Sequence, residues 1–156
     1  MTRLARFAPL SLIALAAAGV VPALGGASLR AQGSTVSAHD AWVREAPAGR
    51  TVTAVFLVAE NKGKVRRSIV SGKTDIADTL ELHEMKQVGA SMQMSPVMSI
   101  DLPAGGRAEL RPGGLHLMLF GLKKPLAVGD TVKLTLTLDD GTRIPVTALV
   151  RRPGGM

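Results

Sequence analysis

From residue 34 onward the chain is cut at short intervals by turn-forming residues, and this punctuation restricts its possible folds more than any other feature. Ala46-Pro47-Ala48-Gly49, Asn61-Lys62-Gly63, Gly105-Gly106, Pro112-Gly113-Gly114, Gly129-Asp130 and Asp139-Asp140-Gly141 all interrupt apolar runs. Glycine reaches positive φ and proline fixes its own φ, so such clusters turn a chain rather than extend it. The runs between them are too short and too rich in β-branched residues for helices, and no helical period connects them. Strands are expected at 36–43, 51–59, 67–71, 79–85, 92–94, 97–102, 107–110, 115–120, 131–138 and 143–150. Eight to ten short strands without a long helix bury their apolar faces by stacking in two layers. The expectation is an all-β, Ig-like antiparallel β-sandwich.

The segment before these strands reads differently. Arg3 and Arg6 precede an apolar run from Phe7 to Val21, followed by small residues around Gly25-Gly26-Ala27. This is the layout of a secretory signal peptide, expected over 1–27 with its cleavage point open. At about 15 residues the run is short of the ~20 that span a bilayer, so no stable membrane insertion is expected after cleavage. A linker at 28–34, a single β-domain at 35–152 and a short tail at 153–156 complete the organisation. The sequence contains no cysteine, so no disulfide staples an exported form and no N-terminal cysteine can carry a lipid. The formal charge is +7, and +5 without Arg3 and Arg6. With one Trp, three Phe and no Tyr, the chain lacks the stacking aromatics that would make a nucleic acid its partner. It has no nucleophilic cysteine, glycine-rich phosphate loop or carboxylate cluster, so it reads as a binding protein rather than an enzyme.

The stretch 82–94, LHEMKQVGASMQM, holds one of three histidines and three of seven methionines. It sets them among Lys86, Gln87, Ser91 and Gln93, which are not core residues. Strand side chains alternate between faces, so His83 shares a face with Met85, and Met92 with Met94. A hairpin centred on Val88-Gly89 would oppose Met85 to Met92 and His83 to Met94, placing all four on one face. Downstream, His116 and Met118 repeat the His-x-Met spacing, with Leu115, Leu117 and Leu119 on the opposite, core-like face.

Imidazole beside thioether suits one guest in particular. Thioether sulfur is soft and selects Cu(I), and methionine stays a ligand where thiolates would oxidise. Such a site needs neutral imidazoles, so binding weakens in acid. Zinc competes, since Glu81 has the parity to join His83, but zinc prefers more nitrogen, thiolate or carboxylate. A blue-copper electron-transfer site is excluded by the missing cysteine. From the residues alone, the choice among the methionines stays open.

These residues resemble the PCuAC family of periplasmic copper chaperones. Its signature is a His, a Met eleven positions on, and a His-x-Met twenty-two positions later. His83, Met94, His116 and Met118 keep every one of those spacings. Ala41-Trp42-Val43-Arg44, Asn61-Lys62-Gly63 and Gly121-Leu122-Lys123-Lys124-Pro125-Leu126 with Gly129-Asp130 also look like the family. The resemblance implies a cupredoxin-like sandwich that binds one Cu(I) through His83, Met94, His116 and Met118, with Met85 and Met92 as auxiliary thioethers. It implies a periplasmic carrier whose partner is cytochrome c oxidase subunit II, at its dinuclear copper centre, or another copper chaperone. Copper buffering without a dedicated recipient, and a metal-free interaction domain, are the alternatives. Many members end in a His- and Met-rich tail implicated in holding Cu(II); this chain ends Arg151-Arg152-Pro153-Gly154-Gly155-Met156, so a Cu(II) site is not expected. His39 and Met98 have no assigned role.

Overall fold

The computed structural model of the protein describes residues 34–154. The expected signal peptide at 1–27 and all but the last residue of the linker lie outside the described residues. Ten strands run in order: β1 (Val36–Arg44), β2 (Val52–Asn61), β3 (Arg67–Thr74), β4 (Thr79–Val88), β5 (Ser91–Pro96), β6 (Ile100–Leu102), β7 (Arg107–Leu110), β8 (Leu115–Phe120), β9 (Thr131–Leu138) and β10 (Arg143–Arg151). Each overlaps an expected run, although β4 continues to Val88 and β6 begins only at Ile100, and no helix occurs among the described residues.

The hydrogen-bonded order is β5-β4-β8-β2-β1-β10-β9-β3-β6, with β7 joined to β2. The all-β expectation holds, but the pairing is mixed and the two halves are continuous. β1 makes the junction. It is antiparallel to β2 on both sides of a bulge, with Val36 opposite Asn61, His39 opposite Val58 and Val43 opposite Val55. The register then shifts between His39 and Trp42, where Asp40 takes φ +52°. Past that bulge, Trp42, Val43 and Arg44 run parallel to Leu149, Val150 and Arg151 of β10. A bulge bends and twists a strand, and here it lets one strand serve both halves of the sheet.

Strict alternation builds the core. On β10, Ile144, Val146, Ala148 and Val150 are buried between exposed neighbours. On β9, Val132, Leu134, Leu136 and Leu138 are buried in the same alternation, between exposed or half-buried neighbours. These pack in one cluster with Val55 and Leu57 of β2, Leu82 of β4, and Leu117 and Leu119 of β8. Each such aliphatic side chain contributes roughly 1.5–3 kcal/mol on burial. One polar side chain is enclosed with them. Asn61 is fully buried, its amide donates to the carbonyls of Val65 (2.9 Å) and Leu102 (3.1 Å), and its oxygen accepts from the Gly63 amide (3.0 Å). That network explains the Asn61-Lys62-Gly63 motif: the side chain locks the turn after β2 onto β6.

For the site, the β5-β4-β8-β2-β1 half matters. Its core-facing positions on β8 and β4 are Leu117, Leu119 and Leu82, so the alternate positions must face the other side.

Candidate metal centre

That other side is not a solvated face. His83 of β4 stands directly opposite His116 of β8. Rings continue outward from this pair across adjacent strands. Trp42 and Phe56 have centroids 4.4 Å apart, Phe56 and His116 6.3 Å, His116 and His83 5.9 Å, and His83 and Phe120 6.0 Å. Cross-strand neighbours on one face come this close because their Cβ atoms are about 5 Å apart. Both histidines are buried in consequence, His83 at 6% and His116 at 5% exposure.

The hairpin β4–β5 carries the thioethers, and its register departs from expectation. Met85 opposes Met94, Gln87 opposes Met92, and His83 opposes Pro96. Met85 therefore does not face Met92, nor His83 Met94. The turn explains the change. The loop is Gly89-Ala90, and Gly89 adopts φ +62°. A two-residue hairpin loop with positive φ at its first centre calls for glycine there, and a loop centred on Val88-Gly89 would force that angle on a β-branched residue. The shift is two residues, an even number, so every side chain keeps its expected face.

Hydrogen bonds orient both imidazoles. His116 Nδ1 lies 2.9 Å from the Gly114 carbonyl, which only accepts, so Nδ1 carries the proton and donates. In the neutral ring Nε2 is then an open lone pair, and it faces Met94 Sδ at 3.3 Å. Nitrogen and sulfur ligands at ~2.0 and ~2.3 Å on a tetrahedral centre stand about 3.5 Å apart, close to this separation. His83 is fixed from its other nitrogen. Nε2 donates to the Glu81 carboxylate at 2.9 Å, and Nδ1 is buried without any hydrogen-bond partner. A buried, unpaired nitrogen is costly unless something outside the protein satisfies it. One ring nitrogen tied to a carboxylate or a backbone carbonyl, the other free, is the arrangement that metal-binding histidines adopt. Glu81 thus acts as a hydrogen-bond partner. Among the described residues no three His, Asp or Glu side chains gather as a metal site.

Met85, Met94, His116 and Met118 line one groove of about 680 Å³, together with Arg44, Arg50 and Phe56. His83 does not line this groove; it lies beside His116 as the next ring in the row. Met118 is half-buried, opposite Glu81 on one side and Ala54 on the other. Met94 is 49% exposed, so it is reachable from solvent. Met92 is equally exposed but sits further toward the hairpin tip, outside the groove. Met98 is 92% exposed, and His39 pairs only with its neighbour Asp40. Sequence reasoning missed the Gly114 carbonyl, Arg44 and Arg50 in the groove lining, and the hydrogen bond of His83 to Glu81. Only the last left a signal, the position of Glu81 two residues before His83 on the same face.

A β-domain with paired His and Met on one outer sheet face defines a class, that of the PCuAC fold. The apo PCuAC domain from PmoF1 has this fold, with TM-score 0.65 at 21% identity over 77% of this chain and 96% of that one. The solution structure of apo-DR1885 from Deinococcus radiodurans matches with TM-score 0.61 at 30% identity, covering 95% of this chain and 98% of that one. That of CuI-DR1885 from the same organism matches with TM-score 0.56 at 33% identity, over 85% and 88%. The chain itself belongs to the LpqE-like family, "Putative lipoprotein LpqE-like", which matches residues 36–150. It is also 36% identical over 121 residues to "Putative lipoprotein Lxx21020" of Leifsonia xyli subsp. xyli, covering 77% of this chain and 72% of that protein.

Proposed function

We propose that this protein is a copper chaperone that holds one Cu(I) with His83, Met94, His116 and Met118 and passes it to an acceptor in the periplasm. The observation that carries the reading is the facing pair of His116 Nε2 and Met94 Sδ at 3.3 Å. Both atoms are electron-pair donors, and their separation is close to that of two ligands on one cation. The orphaned Nδ1 of His83 beside them supports the same reading. So does the donor set, which is imidazole and thioether with no thiolate anywhere in the chain, the combination that suits Cu(I). The similar structures add weight: one is a copper-bound PCuAC domain and another is a Cu(I) form.

Within this reading each residue has a task. The Gly114 carbonyl and Glu81 hold the two rings so that one nitrogen of each stays free of a proton. The row of rings packs the histidines in place and keeps water from them. Met94, half exposed on the edge strand β5, is the ligand an incoming protein reaches first. A ligand at the rim can be exchanged without unfolding the site, and that is what a carrier needs. The acceptor would be subunit II of cytochrome c oxidase or a second copper chaperone, and the protein would act as a carrier rather than an enzyme. An exported location fits both the signal-peptide layout of 1–27 and the lipoprotein-named relatives, though the chain has no cysteine to bear a lipid.

The test is competition for Cu(I) against a coloured chelator. Wild type should retain one copper, and Met94→Ala and Met118→Ala should each lose it to about 100-fold less chelator, the upper end of what a single group near a metal commonly controls. Both variants holding copper as tightly as wild type would remove these residues from the site. Delivery is separated from buffering by oxidase activity in a deletion strain at low copper, which falls only if the protein supplies the enzyme.

A further inference from the structure

The groove is far larger than an ion requires. At about 680 Å³ it has the volume of a site for an organic group, and the copper residues are only part of its lining. Arg44 and Arg50 line it as well. Arg44 lies over the Phe56 ring at 5.9 Å, and Phe56 neighbours His116, so this charge belongs to the same wall as the metal residues. Neither guanidinium has a carboxylate partner among the described residues. Glu45, the acid that lines the groove, is taken by Arg152 at 2.8 Å.

We infer that this groove is the docking site for the copper-exchanging protein, and that it takes an acidic segment of that protein whose carboxylates pair with Arg44 and Arg50. The inference rests on the copper-carrier reading and names the chemistry of its partner. An unpaired guanidinium offers a planar fork that matches a carboxylate bidentately. Two of them in the wall of the groove that holds Met94 and His116 would hold a segment so that its neighbouring residues lie over those two side chains. The occupant is a protein segment because the groove is open and Met94, on its wall, belongs to the sheet-edge strand β5, giving a surface rather than a closed cavity. The net positive charge, +7 for the full chain and +5 without Arg3 and Arg6, steers acidic surfaces toward the molecule from a distance.

The probe is a short peptide of aspartate and glycine around one methionine, with an asparagine twin. Each is titrated by amide NMR into the apo protein and into the copper-loaded protein. The aspartate peptide should bind the apo form at least about fivefold tighter than its twin at low salt, and the gap should close at ~1 M salt, where the screening length is about 3 Å. Shifts should centre on residues 44–56. Arg50→Gln should weaken the aspartate peptide without changing Cu(I) retention, and Arg44→Gln/Arg50→Gln should erase its advantage over the twin. Equal binding of the two peptides, an unaffected double variant, or shifts centred on β9 and β10 would each overturn the inference. Because docking is read on the apo protein, its failure is distinct from a failure to bind copper.

Discussion

His116 Nε2 and Met94 Sδ lie 3.3 Å apart although 22 residues separate them in the chain. Two strand pairings and one hydrogen bond create this approach. β8 lies against β4 with His116 opposite His83, β4 lies against β5 with Met85 opposite Met94, and the Gly114 carbonyl turns the His116 ring. The site is therefore a product of hairpin register, and its sensitivity to particular residues follows.

Met85 and Met92 should separate. Met85 faces Met94 and lines the groove, whereas Met92 faces Gln87 nearer the hairpin tip. Met85→Leu should speed Cu(I) loss to a chelator by about tenfold, the lower end of the effect of groups beside a metal. Met92→Leu should stay within about twofold in the same stopped-flow measurement, since it lies outside the groove.

Gly89 should matter through its backbone alone. A Cβ at this position meets open space, so the only obstacle is φ +62°. Gly89→Ala should cost about 1–2 kcal/mol in urea unfolding, and Gly89→Asn distinctly less, because Asn tolerates the left-handed region. Equal losses for the two would mean that the turn conformation is not what holds the register.

Asn61 should be the most sensitive polar residue of the core. Replacing it with Ala leaves the Leu102 and Val65 carbonyls and the Gly63 amide without their partner. Unfolding free energy should fall by about 2–4 kcal/mol, given about 1–3 kcal/mol per buried group left unsatisfied. Asn61→Asp should be worse, since a carboxylate would face two carbonyl oxygens.

Asp101 carries a pH signature. Hydrogen bonds from Arg66 and then Ser68 hold its carboxyl below its ordinary value of 3.8. A depressed carboxyl stabilises the fold above its unfolded pKa, and that stability is lost as pH falls from about 3.8 toward the folded value. The melting temperature of wild type should exceed that of Asp101→Asn at neutral pH. The gap should narrow only below about pH 4, and a gap that persists there would assign the effect to packing instead.

Much of the fold is legible in the chain because strand periodicity is local. Alternation on β9 and β10, the leucines of β8 and the turn glycines all act within a few residues of themselves, so element positions follow from composition and spacing. The His-x-Met pairs are legible for the same reason, since two residues apart on a strand means one face. The parallel contact of β1 with β10 has no local signature: it depends on the Asp40 bulge and on strands a hundred residues apart in sequence meeting through a shared core.

The division at the site has the same origin. Sequence alone determined the residue types, the face each side chain takes, and hence that imidazole and thioether would share one side of the sheet. Only the tertiary structure decided which thioether meets which imidazole, because the Gly89-Ala90 turn set a register that parity cannot distinguish from one two residues away. It also decided which nitrogen each ring offers. Hydrogen bonds from the rings to Glu81 and the Gly114 carbonyl make that choice, and such bonds exist only once the strands are aligned.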